Sequence, residues 1–194
     1  MQPTQNFWQR NSGWLIPVII IVVLLGWGVS AYNSFVRTNE AVTSQWAQVE
    51  NQYQRRFDLI PNLVNTVKGL TAQEQKVFGD IATARSHYAG ATTPDGKAGA
   101  AGEVESALGR LLVITENYPQ LQSSQAFRDL MTSLEGTENR ISVERMKYNT
   151  LVQGFNASVQ AFPGSVFASV FGFHARTYFE VPVTNQANPT VNFQ

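Results

Sequence analysis

Apolar residues follow two rhythms along this chain. From Gly13 to Tyr32 (GWLIPVIIIVVLLGWGVSAY) they run almost unbroken and without a charge. From Phe35 they recur at alternating steps of four and three: Phe35, Asn39, Val42, Trp46, Val49, Tyr53, Arg56, Ile60, Leu63, Val67, Leu70, Glu74, Val77, Ile81, Ala84 and Tyr88. Only Asn39, Arg56 and Glu74 interrupt that stripe. The first rhythm reads as a membrane span. As a helix, Leu15 to Tyr32 covers roughly 27 Å, close to a bilayer core of ~30 Å. Trp14 lies at one end and Trp27 and Tyr32 near the other, where interfacial aromatics are favoured. The second rhythm is the seam of a helical bundle, about 80 Å long if unbroken. Pro61 falls inside it. The stripe keeps its phase across the proline, so a kink near Phe57–Pro61 is expected, not a stop.

Further along, Gly90–Gly102 (GATTPDGKAGAAG) reads as a loop, with turn chemistry at Pro94-Asp95-Gly96. A second helix follows with Val104, Leu108, Leu111, Thr115 and Tyr118 in register, and Pro119 ends it. Ser123 or Ser124 then caps a third. Its stripe is Phe127, Met131, Leu134, Glu138, Ile141, Arg145, Tyr148, Val152, Phe155, Val159 and Phe162, closed by Pro163-Gly164. Ser165–Phe173 (SVFASVFGF) is a short aromatic helix. The expected fold is therefore all-α. A single N-terminal transmembrane helix leads into an elongated antiparallel bundle of three long helices plus a short C-terminal one. The divisions are a tail at 1–12, the span at 13–32, the bundle at 33–180 with its loop at 90–102, and an extended tail at 181–194.

Signal-peptide cleavage at Val29-Ser30-Ala31 is the competing reading of the N-terminus, and Arg10 could serve as its basic flank. The run continues without a turn signal into the heptad stripe, which favours a retained anchor. Arg37 just after the span against Arg10 before it leans toward a bundle in the cytoplasm.

Composition narrows the function. Charged residues make up 14% of the chain and the formal net charge is +0, against about 25% charged in ordinary soluble domains. A surface so poor in charge suits burial against other copies or a membrane-protein partner. No basic patch points to nucleic acid. Cysteine is absent, and the two histidines, His87 and His174, are far apart and outside any zinc-binding spacing. No metal, no cofactor and no catalytic group is expected. The polar residues that break the stripes, Arg56, Glu74, Glu138 and Arg145, are read as a structural polar core that fixes helix register, flanked by Arg55, Asp58, Asn149 and Asn156. Arg56 or Glu74 is expected to face Glu138 or Arg145. Val166, Phe167, Val170, Phe171 and Phe173 form the candidate interaction surface.

Several segments resemble the LemA family: WAQVENQYQRRFDLIPNLVNTVKG (Trp46–Gly69), ENYPQL (Glu116–Leu121), LEGTENRISVERMKYNTLVQGFN (Leu134–Asn156), FPGSVFASVFGF (Phe162–Phe173), YFE (Tyr178–Glu180) and PTVNF (Pro189–Phe193). The resemblance implies a bacterial single-pass protein of the cell (inner) membrane with a helical-bundle domain. It brings no settled activity and no catalytic residues. The function expected is a membrane-anchored, self-assembling scaffold in contact with lipid. The alternative is an accessory or regulator of a membrane enzyme such as a quality-control protease. A hydrolase is least favoured, because no nucleophile–base pair stands out.

Overall fold

The computed structural model describes the backbone of residues 7–67 and 76–180, with side chains from Trp14 onward in those ranges. The described residues form six α-helices: α1 (Phe7–Thr66), α2 (Lys76–Gly90), α3 (Pro94–Thr115), α4 (Pro119–Ser123), α5 (Gln125–Gln160) and α6 (Gly164–Phe171). They fall into two compact units. One comprises the chain up to Thr43 together with Leu151–Arg176, and the other Ser44–Thr150 with the chain from Thr177. The fold is all-α.

α1 changes character along its length. Over Ile16–Val29 nearly every large apolar side chain is exposed, and this is the one described helix long and apolar enough to cross a membrane. From Phe35 burial becomes one-sided: Phe35 and Val42 in the first unit, then Val49, Tyr53, Phe57, Ile60 and Leu63 in the second. These are the stripe positions with Phe57 added. α1 passes through the exposed Pro61 and ends at Thr66. The long helix expected to reach Tyr88 is thus two helices, α1 and α2, and Glu74 lies outside the described residues.

The expected loop at 90–102 is mostly helix, because its signals are those of a helix start. Thr93 is the N-cap, its hydroxyl accepting from the Gly96 amide at 3.1 Å. Pro94 takes the first helical position, where no donor is lost, and Asp95 sits in the first turn, where its charge suits the dipole. Ala98, Ala100 and Ala101 are buried, and residues this small let helices approach closely. α2 and α3 form an antiparallel hairpin, bridged outside its core by Arg110–Asp80 at 3.0 Å and His87–Glu103 at 2.7 Å. His87, expected to be a solvated helix-end residue, is exposed but tied to Glu103.

Ser124 caps α5, its hydroxyl accepting from the Phe127 amide at 3.2 Å. On α5 Phe127, Leu134, Ile141, Tyr148, Val152, Phe155 and Val159 are buried as the stripe requires. Phe162 is not: it lies beyond the end of α5 and is 84% exposed. In the second unit α5 lies antiparallel to α1, with Trp46 against Tyr148 at 5.2 Å between rings and Gln45 donating to the Glu144 carboxylate at 2.6 Å.

Two glycines shape the join to α6. A Cβ on Gly164 would collide with the Ser158 carbonyl oxygen, and Gly172 closes α6 in the left-handed region at φ 74°. Gly164→Ala must displace backbone, so we expect a loss of about 1–3 kcal/mol, read as a lowered thermal midpoint. An unchanged midpoint would mean the turn has slack that its geometry does not reveal.

Candidate functional site

Two places collect the residues that sequence patterning marks out. The first lies in the second unit, where α1, α3 and α5 meet. Arg56 on α1, 7% exposed, donates to the Glu138 carboxylate on α5. Arg145, two turns further along α5, pairs instead with Glu105 on α3 at 3.5 Å, and its guanidinium stands 4.9 Å from the centroid of the Phe179 ring. Two cations and two carboxylates thus form a neutral cluster. Burial is the largest influence on the Glu105 carboxyl and pushes its pKa up. The nearby Glu138 charge adds to that, while Arg145 and Arg56 oppose it. Tyr53 beside the cluster has its phenol raised, chiefly by burial. The Tyr53 hydroxyl, Arg56 Nε and Glu105 Oε1 are buried without a hydrogen-bond partner, so the cluster carries a local desolvation cost.

Glu105 escaped the sequence reading because it lies off the α3 stripe. Only its distance from Val104 and Leu108 along the helix could have hinted at a half-buried position. The residues expected to complete the polar core do other work. Arg55 is exposed, and Asp58 accepts from Gln54 within α1 at 2.8 Å. Asn149 and Asn156 hold the extended segment after α6. The Asn149 carboxamide accepts from Phe179 N at 2.8 Å and donates to Phe179 O at 3.1 Å. Asn156 does the same with Arg176, at 2.7 and 2.8 Å. Each amide thus satisfies both the backbone N–H and the carbonyl of one residue in a segment outside any helix. The clamped Phe179 then packs on Trp46 and Tyr53. The polar cluster also borders an apolar cavity of about 400 Å³ lined by Leu63, Leu108, Leu111, Phe127 and Leu134.

The second place is α6, in the first unit. Its five candidate residues divide between two sides. Phe167 meets Trp27 edge-on at 5.7 Å, and Phe171 and Phe173 meet Tyr32 at 5.2 and 5.9 Å. Phe173 also contacts Phe35 and Phe155. Val166 and Val170 point away and are 54% and 74% exposed. Among the described residues no group of three or more His, Asp or Glu side chains is placed to hold a metal ion.

This geometry defines a class: a helical bundle whose first helix also forms a candidate membrane span. The LemA family model matches residues 45–193, and the chain belongs to the LemA family. It is similar to magnetosome protein MamQ 2 of Paramagnetospirillum magneticum, 29% identical with 86% of this chain and 71% of the relative covered. It is also similar to magnetosome protein MamQ of Magnetospirillum gryphiswaldense, 30% identical with 84% and 70% covered.

The exposures within the cluster set an order of costs. Glu138 is 40% exposed and can be solvated alone, whereas Arg56 cannot. Glu138→Ala strands a buried cation. We expect a loss of about 2–3 kcal/mol, below the ~3–5 of a fully buried pair, and a smaller one for Arg56→Met, measured by denaturant unfolding. The reverse order would refute this account of the pair. For Glu105 the sign follows from linkage: the folded carboxyl holds its proton more tightly than the unfolded one. Its contribution is therefore fully present below the unfolded value and is lost as pH rises through the raised folded value. Glu105→Gln should then stabilise the protein more at neutral pH than in mild acid. An equal effect at both would show that burial does not govern this group.

Proposed function

We propose that this protein is a membrane-anchored, non-catalytic scaffold that assembles with copies of itself, in a bacterial inner membrane and with its bundle on the cytoplasmic side. The observation that carries this reading is α1, one uninterrupted helix that is apolar and exposed on all sides over Ile16–Val29 and buried on one side from Phe35. Water is a poor solvent for such a segment, and a bilayer covers it fully. The matches to the MamQ relatives cover more of the chain than residues 45–193 do, which supports treating anchor and bundle as a single module.

Self-assembly is supported by the low charge of the chain and by unpaired apolar side chains on the second unit. Val143 and Met146 lie three residues apart on one face of α5, and Val113 on α3 is 63% exposed. Anchors that all run the same way favour rings about an axis normal to the membrane. The scaffold role is supported by how the charges are used: Arg56 and Arg145 engage Glu138 and Glu105 across helices, as register-setting groups do.

Alkaline carbonate should leave the full-length chain in the membrane fraction; its release into the wash would remove the anchor. Light scattering of detergent-solubilised full-length protein should give a multiple of 21.5 kDa. A single species of monomer mass would end the case for self-assembly and leave the anchored bundle standing.

A further inference from the structure

We propose that α6 is a second membrane contact: a short helix lying in the interfacial layer of the bilayer beside α1, with Phe162, Val166 and Val170 turned into lipid. The inference rests on the anchored reading above and extends it from one span to a span with a lateral foot.

The argument begins with depth. Trp27 lies five residues inside Tyr32, roughly 7 Å along the helix axis, and both belong to the apolar run that ends at Tyr32. α6 is seated on the end of this stretch, from Trp27 to Tyr32, and reaches Phe35 just past it. Phe167 packs on Trp27 and its ring edge reaches Gly28, where even an added Cβ would stand 3.4 Å away. Phe171 and Phe173 pack on Tyr32. Whatever surrounds the last turns of the span therefore also surrounds α6. That overlap matches the roughly 5–10 Å to which interfacial helices sink into the boundary between headgroups and acyl chains.

Chemistry agrees with depth. From Ala161 to Phe173 there is no charged residue, and the first titratable group after it is His174. One side of α6 is taken up by ring contacts with α1. On the other, Val166 and Val170, one turn apart, are 54% and 74% exposed, and Phe162 before the helix is 84% exposed. Left in water, these form an apolar ridge with nothing to cover it. It also adjoins the span through Phe167, the neighbour of Val166, which packs on Trp27, itself 50% exposed. That junction with the apolar segment selects lipid as the occupant over a second copy of the chain.

The chain lacks cysteine, so single cysteines can be labelled with an environment-sensitive fluorophore in the full-length protein. V22C, V166C, V170C and E40C are placed in phosphatidylethanolamine–phosphatidylglycerol vesicles. Quenching is measured with lipids spin-labelled near the headgroup, with lipids spin-labelled deep in the acyl chain, and with aqueous iodide. Glu40 is exposed and lies about 12 Å past Tyr32 along α1, so it is the aqueous reference. V22C should respond to the deep label. V166C and V170C should respond most to the shallow label and be shielded from iodide several-fold relative to E40C. If V22C behaves as stated while V166C and V170C follow E40C, the foot is refuted and the anchor stands. Shielding of both from iodide with no response to either lipid assigns the ridge to protein and also refutes the proposal. If V22C itself shows no lipid quenching, the anchored reading fails, and the foot with it.

Discussion

The structure depends on a single helix that is apolar and exposed on all sides along one stretch and buried on one side along the next. Over Ile16–Val29 the α1 backbone bonds are all internal and its side chains are apolar on every side, the one arrangement a bilayer core accepts without penalty. From Phe35 the same helix buries one face and leaves the other to water. The change takes place without a break in the hydrogen-bond ladder. The first buried bundle residue therefore lies only about a turn past the last interfacial aromatic, Tyr32. The aromatic rings of α6 and Phe173 lie along this transition, from Trp27 in the wholly apolar segment through Tyr32 to Phe35 in the one-sided one.

Deeper in the second unit, the polar cluster is a compromise between cost and order. Apolar residues in place of Arg56, Glu138, Glu105 and Arg145 could pack with less desolvation, and the raised Glu105 carboxyl records that cost. The charges compensate by being selective. Arg56 reaches α5 at Glu138, and Arg145 reaches α3 at Glu105, so the two pairs tie α1, α5 and α3 together. Three helices related only by apolar stripes could settle in several registers of similar energy.

Much of the fold is legible in the sequence because heptad spacing reports a buried face directly. Phe35, Val42, Val49, Tyr53, Leu63, Ile81, Leu134, Ile141, Tyr148 and Phe155 are buried at the positions the stripe assigns them. What is not legible falls into two kinds. Thr93-Pro94-Asp95-Gly96 uses the same residues to start a helix as others use to make a turn, and only the buried alanines that follow distinguish the two. Interactions between distant segments leave no period to read. Nothing in the spacing of Asn149 and Asn156 announces that their amides hold Phe179 and Arg176, or that Glu105 stands opposite Arg145. The side of α6 that faces α1 is likewise a matter of rings meeting across sequence, at Trp27 and Tyr32.

The asparagine clamps also constrain the order of assembly. Phe179, near the end of the described chain, plugs the space between Trp46 and Tyr53 near its beginning, and the Arg176 guanidinium donates to Asn39, 137 residues earlier. Contacts so distant in sequence form late and slowly. During synthesis α1 is made first, but the core that it offers stays open until Arg176 and Phe179 have followed. α1 is thus complete long before the segment that closes its core is made.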